Sequence, residues 1–314
     1  MGVGEHIHWY FFDGCNLDCV PCFQPHIHYK APPNRLKTLA RILVDNDVEK
    51  VILGGGEPLL EKHLDEILRI LKQGDIYVSL HTNGTLLDNR RITRLSGLVD
   101  DIAIPIDSAN RETQRELRGD GFLPVFDSLH DIAAAIKGNE MGLGYHTVFT
   151  MANHKDMPAI YAFIRNTDFD YWRIYEFNDY LAYSSLTMKK LCTKKKEQKK
   201  FLKRMEAIRS LRGTEGPQEK AVDKLFPLFK KASRRMRRYK DPRIQFAPIA
   251  GVEEPYMFLD NAGDITTYDC LSGTRRIEFG NILQDGFDNV LNALRRYASA
   301  LESVRHKFLI KKAH

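Results

Sequence analysis

Over its first 180 residues the chain alternates short apolar runs with segments of helical period, and this restricts it to few folds. His6–Phe12 reads as a strand, with His6, His8 and Tyr10 on one face and Trp9 and Phe11 on the other. Further strands are expected at 50–53, 76–81, 101–107, 142–149 and 171–177. Helices are expected between them at 35–48, 60–71, 90–98, 125–137 and 157–165. Six strand–helix units in succession imply a parallel sheet with helices outside it. The expected class is α/β, a partial (β/α)6 TIM-type barrel, an incomplete relative of the eight-unit fold. Chemistry in such barrels lies at the C-terminal ends of the strands.

The remainder of the chain changes character. Residues 189–243 carry 21 Lys/Arg against 6 Asp/Glu, a balance of +15, whereas the other residues carry 26 against 35, or −9. The overall charge of +6 therefore belongs to one segment. Phe201, Met205, Ile208 and Leu211 recur at helical spacing, as do Val222, Leu225, Phe226 and Phe229, so a small basic helical insertion is expected. Residues 244–283 return to short strands, and 287–310 read as a closing helix. The resulting division is 1–182 for the barrel, 183–243 for the basic helical segment and 244–314 for a C-terminal α+β cap. No apolar run approaches the roughly 18 residues of a membrane span, and the N-terminus lacks the pattern of a secretory signal. Five cysteines, three of them clustered, argue against a disulfide framework and for a reducing, cytoplasmic setting.

The three clustered cysteines, Cys15, Cys19 and Cys22, have the spacing C-x3-C-x2-C and directly follow the first strand. Iron–sulfur clusters are normally held by four cysteines. Three thiolates on a short loop can hold three irons of a [4Fe–4S] cluster and leave the fourth open to a small molecule. The same cysteines could instead hold a structural zinc, with His26 or His28 as a further ligand. Gly55-Gly56-Glu57-Pro58 follows the second strand, where glycines let backbone approach a ligand closely.

Together these motifs resemble the radical S-adenosylmethionine (SAM) superfamily. The resemblance implies a cluster whose open iron chelates SAM and cleaves it reductively to methionine and a 5′-deoxyadenosyl radical. It implies that Gly55, Gly56 and Glu57 approach the methionyl end of SAM. Asn83, in the Thr82–Thr85 turn, and Asp107 and Ser108 after the fourth strand occupy positions that contact SAM in relatives. Arg118 can pair with the SAM carboxylate or be a solvated loop charge. The aromatic residue usual before the third cysteine is here Pro21, so Phe23 would take over part of the adenine contact. An external electron donor such as flavodoxin or ferredoxin is implied, with no membrane partner.

Within the superfamily the chain resembles viperin-like enzymes most. The shared features are Cys22-Phe23, Asn83-Gly84, Asp107-Ser108 and Arg118-Gly119, and Tyr171-Trp172-Arg173 on the sixth strand. Such enzymes dehydrate a nucleoside triphosphate, but the fifth strand here reads Gly144-Tyr145-His146-Thr147, without the basic residue that grips triphosphate. The C-terminal stretch resembles a shortened SPASM/Twitch region, a type that often carries an auxiliary cluster. Only Cys192 and Cys270 remain outside the first three cysteines, too few for an all-cysteine cluster, so a single [4Fe–4S] cluster is expected.

Cys270 has two readings: a small buried hydrophobe, or a hydrogen-atom donor as in radical SAM epimerases. Tyr175 and Glu176 at the end of the sixth strand are further catalytic candidates. His8, Tyr10, Lys30, His146 and Arg173 are candidate substrate-binding residues, and together they suggest a small polar substrate with an anion among the possibilities. A nucleotide or sugar is favoured, with dehydration or epimerisation as the outcome. The basic segment is a solvated face, a clamp for phosphate or carboxylate, or an RNA-binding surface, RNA being ranked last because no RNA-binding signature accompanies it. The rival readings are modification of a peptide or RNA and, ranked below it, a non-catalytic Fe–S protein.

Overall fold

The computed structural model describes residues 6–12, 14–22, 31–177, 225–247, 257–260, 262–268 and 276–312. Strand and helix alternate as β1 (His6–Phe12), α1 (Pro33–Asp45), β2 (Lys50–Gly55), α2 (Leu64–Gln73), β3 (Tyr77–His81), α3 (Asn89–Leu95) and β4 (Asp101–Pro105). They continue as α4 (Arg111–Arg118), α5 (Leu123–Asp127), α6 (Leu129–Gly138), β5 (Gly142–Phe149), α7 (Met157–Ile164) and β6 (Tyr171–Glu176). Within the basic segment lies α8 (Leu225–Met236), and after it come β7 (Ile244–Ala247), β8 (Met257–Asp260), β9 (Asp264–Tyr268), β10 (Arg276–Asn281) and α9 (Phe287–Lys312).

The ten strands of the described residues belong to one open sheet in the order β10-β9-β8-β1-β2-β3-β4-β5-β6-β7. Strands β1 to β6 pair in parallel and in sequence, giving the partial barrel. β7 adds in parallel beside β6, and β8 adds in parallel beside β1. The C-terminal strands thus extend the barrel's own sheet from both edges. β8, β9 and β10 then turn back as an antiparallel meander. Among the described residues no helix is long and apolar enough to cross a membrane.

The period-2 alternation places the core on one side of the sheet. Ile7, Trp9 and Phe11 are buried, whereas His6, His8, Tyr10 and Phe12 are partly exposed. Val51, Leu53, Val78, Leu80, Ile102, Ile104, Leu143, Trp172 and Ile174 continue the buried layer. The helices answer with Leu36, Leu39 and Leu43 of α1, Leu64, Ile67, Leu68 and Leu71 of α2, and Ile160 and Ile164 of α7. Each fully buried aliphatic side chain contributes about 1.5–3 kcal/mol, so this layer carries the barrel's stability. The opposite face is free to be polar.

Three differences from the sequence reading bear on the site. Arg118, expected in a loop, ends the helix α4, for which the sequence carries no apolar period. Asn110 caps it, its side-chain oxygen accepting from the N–H groups of Glu112 and Thr113 at 3.0 Å each. It ends at Gly119, whose φ of 85° suits glycine. α4 buries only Gln114 and Leu117, so it lacks the apolar period that marks a helix in sequence. The segment 125–137 is two helices, broken at Ser128. Strand β4 stops at Pro105, so Asp107 and Ser108 lie in the connection that follows it.

Candidate functional site

Two regions meet at the C-terminal rim and interior of the barrel. The first is the loop after β1 and the turns packed on it. The backbone N–H of Gly56 donates to the Phe12 carbonyl at 2.5 Å, and that of Glu57 to the Gly14 carbonyl at 2.7 Å. Gly55 has φ 112°, and a Cβ there would lie 2.5 Å from the Phe12 carbonyl oxygen. Only glycine permits this approach, so the second glycine-rich turn is stitched to the start of the cysteine loop.

Glu57 is fully buried. Its carboxylate accepts from Thr82 Oγ1 at 2.7 Å, from the Asn83 N–H at 2.7 Å and from the Leu59 N–H at 3.0 Å. Burial raises its pKa, and the three hydrogen bonds oppose that rise. Glu57 thereby clamps the β2 turn to the β3 turn. Asn83 in that second turn donates to Asn16 Oδ1 at 2.8 Å and lies 3.8 Å from Cys15 Sγ.

Arg118 closes the rim from the other side. Its Nε donates to Asp107 at 2.6 Å, and its Nη1 lies 3.8 Å from Cys19 Sγ. Asp107 is fully buried and also accepts from the Val148 N–H at 2.8 Å. Burial works against the charge of Arg118, but Asp107 and the Cys19 sulfur outweigh it and hold the guanidinium protonated. Gln114 accepts from the N–H groups of Asp107 and Ser108 at 3.0 and 2.8 Å, and the Ser108 hydroxyl donates to Asp156 at 2.6 Å. The Val20 N–H donates to the Leu117 carbonyl at 2.8 Å, fastening the cysteine loop to α4.

N–H donors therefore converge on the cysteine sulfurs, Leu17 at 3.4 Å and Asn83 on Cys15, and Arg118 on Cys19. Cys19 is buried, and Cys15 and Cys22 are partly exposed. Burial raises the Cys15 thiol pKa, partly countered by the Leu17 N–H. Among the described residues no three His, Cys, Asp or Glu side chains are gathered about a single ion position.

The second region is the inner wall. Here β1 contributes His8 and Tyr10, β3 His81, β5 His146, and β6 Arg173 and Tyr175. His81 and His146 sit with ring centroids 4.2 Å apart, edge to face, and His146 lies 5.3 Å from the Tyr175 ring. The Nε2 atoms of both histidines are buried without a hydrogen-bond partner. Arg173 donates to Gln245 at 3.2 and 3.1 Å and lies over the Tyr171 ring at 5.3 Å. Tyr10 stacks on Phe258 of β8 at 5.2 Å, an aromatic wall beside the polar one. Burial, reinforced by Arg173 and Lys50, lowers the His8 pKa to about 3. Burial likewise holds His81 and His146 well below the usual imidazole value, so all three rings are neutral at pH 7.

The floor is an Asp101 carboxylate, buried and accepting hydroxyl hydrogen bonds from Ser79 at 2.5 Å, Tyr77 at 2.9 Å and Tyr171 at 3.0 Å. Gly144 makes room for this arrangement, since a Cβ there would lie 2.2 Å from Cζ of the Tyr171 ring.

The structure brings together Cys15, Cys19, Gly55, Gly56, Glu57, Asn83, Asp107, Ser108 and Arg118 at the rim. It brings His8, Tyr10, His146, Arg173 and Tyr175 to the inner wall, and Glu176 ends β6. Phe23, Lys30 and Cys270 lie outside the described residues, as do Cys192, His26 and His28. Sequence reading missed His81, Lys50, Tyr171, Gln245 and Phe258. The parity of Tyr77, Ser79 and His81 against Val78 and Leu80 on β3 carried the signal for His81.

Comparison with known proteins agrees with this architecture. An S-adenosylmethionine-dependent nucleotide dehydratase from Thermoplasmatales archaeon (strain ISO4-H5) is 30% identical over 138 residues, 41% of this chain and 50% of that protein. A probable GTP 3′,8-cyclase from Methanothermobacter marburgensis is 30% identical over 131 residues, 40% of this chain and 41% of that protein. The matched stretch is half or less of these relatives' own lengths. Among solved structures, native anSMEcpe with bound AdoMet and Cp18Cys peptide superposes with a TM-score of 0.63 at 16% identity, covering 92% of this chain and 81% of that one. Streptococcus suis SuiB bound to S-adenosylmethionine gives 0.57 at 16% identity, covering 83% and 59%. These likenesses concern the fold. Residues 9–164, from β1 through α7, match the radical SAM superfamily, and the chain belongs to that superfamily, whose cofactors are a [4Fe–4S] cluster and SAM.

Proposed function

We propose that this chain is an enzyme that cleaves SAM reductively and abstracts hydrogen from a small polar substrate, a nucleotide or sugar being favoured. The observation that carries the reading is the cysteine loop itself. Its sulfurs lie at the barrel's catalytic rim, with N–H donors from Leu17, Asn83 and Arg118 aimed at them. Such donors stabilise anionic sulfur on Cys15 and Cys19, and with Cys22 on the same loop the three fit as ligands of three irons of one cluster. When bound, the cluster and SAM supply the carbon radical.

The chain's residues then divide the work. Gly55 lets the glycine-rich turn dock on Phe12, and Gly56 beside it carries no side chain that would keep SAM from the rim backbone. Glu57 holds the β2 and β3 turns in register through its three protein hydrogen bonds and stays in the proposed SAM site beside the two glycines. Asp107 likewise holds Arg118, whose guanidinium is left facing the cluster loop, where it can meet the SAM carboxylate. Tyr175, Glu176 and Cys270 remain our candidates for proton or hydrogen transfer, and His8, Tyr10, Lys30, His146 and Arg173 for substrate contact. Phe23 and Ser108 complete the proposed SAM site. The relatives' names, nucleotide dehydratase and GTP 3′,8-cyclase, support nucleotide chemistry. A one-electron donor such as flavodoxin or ferredoxin, in the cytoplasm, completes the scheme.

The test is anaerobic reconstitution followed by reduction with SAM present. The expected product is 5′-deoxyadenosine, from protein holding about four irons per chain, the content of one [4Fe–4S] cluster. Failure to form it, even when cell extract is offered as substrate, overturns the proposal. A second reading, modification of a peptide or RNA, rests on the +15 balance of residues 189–243. Polymer binding that weakens steeply with salt would favour it.

A further inference from the structure

We infer that the inner wall of the barrel seats one compact anionic group of the substrate, a phosphate monoester or a carboxylate, at the His81–His146 pair, with Arg173 and Lys50 supplying the charge. This rests on the proposed function and names the class of substrate it would accept.

Three observations converge. First, His81 and His146 form a pair 4.2 Å apart whose Nε2 atoms are both buried and lack partners. Nearly all buried polar groups in folded proteins are satisfied, so two adjacent orphans on one wall mark a place for an absent partner. A neutral imidazole retains one N–H, and an anion selects the Nε2–H tautomer in each ring.

Second, Arg173 is oriented before any ligand arrives. It pairs in register with His146 on the neighbouring strand. Gln245 accepts from its Nε and Nη2, and the Tyr171 ring lies beneath its guanidinium. Arg173 and Lys50 share one field with the histidines: both depress His8 and His81, and Arg173 also depresses His146 and Lys50.

Third, the charges set the size of the anion. Arg173 stands in register with His146, and Lys50, over the Tyr77 ring on the floor, adds to its field at His8 and His81; Arg118, which also acts on His146, is engaged by Asp107. Asp101 on the floor offsets one cation, and its oxygens already accept three hydroxyls. With one cation offset, the wall keeps one net positive charge and suits a single compact anion. The roughly four negative charges of a nucleoside triphosphate exceed it, in keeping with the absence of Lys and Arg from β5.

The experiment is calorimetric titration of the full, cluster-reconstituted chain at pH 7 with inorganic phosphate, acetate and tripolyphosphate. Phosphate or acetate should bind one to one, and the better of the two tells a phosphate ester from a carboxylate. Arg173→Gln and His146→Phe should each weaken it about tenfold to a hundredfold, the loss expected for a hydrogen bond to a charged group. Arg173→Lys, which keeps the charge, should lose less than Arg173→Gln, and this ranking guards against a merely misfolded variant. Arg234→Gln, on the exposed face of α8, should leave binding unchanged. No binding of either small anion, or binding sensitive to Arg234 but not to Arg173, overturns the inference. Tripolyphosphate binding tenfold or more tighter than phosphate through Arg173 also overturns it. 5′-Deoxyadenosine is followed in the same unaltered protein. Its formation without anion binding removes the anion site and leaves the proposed function standing, whereas its absence removes the function itself.

Discussion

The rim and the inner wall of this barrel are built on opposite plans. At the rim, the charged groups are engaged by the protein: Glu57 with Thr82, Asn83 and Leu59, and Asp107 with Arg118 and Val148. Along the inner wall, basic side chains crowd one another, and two imidazole nitrogens have no partner. Groups that must be in place before chemistry begins can be satisfied permanently, and this preorganises them. Groups that recognise a substrate must keep hydrogen-bonding capacity in reserve. Rim changes should therefore cost fold and cofactor together, and wall changes should cost ligand binding and alter pH behaviour.

The largest effect should come from Cys19→Ala, which removes a thiol at the rim. Cluster content and 5′-deoxyadenosine formation should both fall to background, measured by iron analysis and product chromatography. A wild-type yield would show that the rim does not hold the cluster as proposed.

Next is Arg118→Met, which leaves the buried Asp107 carboxylate without its cation. Breaking a buried ion pair from one side costs about 3–5 kcal/mol. Urea unfolding should show a loss of that order, and Arg118→Met combined with Asp107→Asn should recover part of it. A loss under about 1 kcal/mol would place the pair with solvent-screened surface contacts.

The wall should reveal itself through pH. His8, His81 and His146 have native pKa values below the unfolded value of 6.5. The unfolded chain therefore takes up protons first, and stability falls as pH drops below 6.5, by about 1.4 kcal/mol per pH unit for each histidine. For His8 this continues down to about pH 3. Above pH 6.5 these groups contribute no slope. Denaturant unfolding at several pH values should show a shallower acid limb for His146→Phe than for the unaltered chain. An identical slope would contradict burial of that ring.

Smaller still is Glu57→Gln. Three donors converge on the carboxylate, and the glutamine amide offers only one acceptor oxygen, so one donor would face another. The expected cost is about 1–3 kcal/mol by thermal or urea unfolding. A neutral outcome would mean that the clamp between the two turns is dispensable.

The parts legible from sequence were those encoded over a few residues. Strands β1 and β5 match their expected bounds because period 2 with β-branched and aromatic residues is a local signal. The Gly55-Gly56 turn was legible because close approach demands glycine, whatever it approaches. Helix α4 escaped because it is polar on nearly every face, and Arg118 stayed open between a SAM-carboxylate partner and a loop charge because its contact with Asp107 depends on where that helix points. Pairing of His81 with His146 spans 65 positions and depends on β3, β4 and β5 lying side by side in a fixed register.

By itself, the sequence determined the alternation of strand and helix, the apolar and polar faces of the first strand, and the three cysteines that follow it. These depend on neighbouring residues and on covalent spacing. Only the tertiary structure decided that β7 and β8 extend the barrel sheet at its two edges, that Arg118 bridges Asp107 and Cys19, and that the imidazoles meet with nitrogens unsatisfied. Those outcomes follow from sheet order and curvature, which bring distant side chains within hydrogen-bond reach and which no local window of sequence contains.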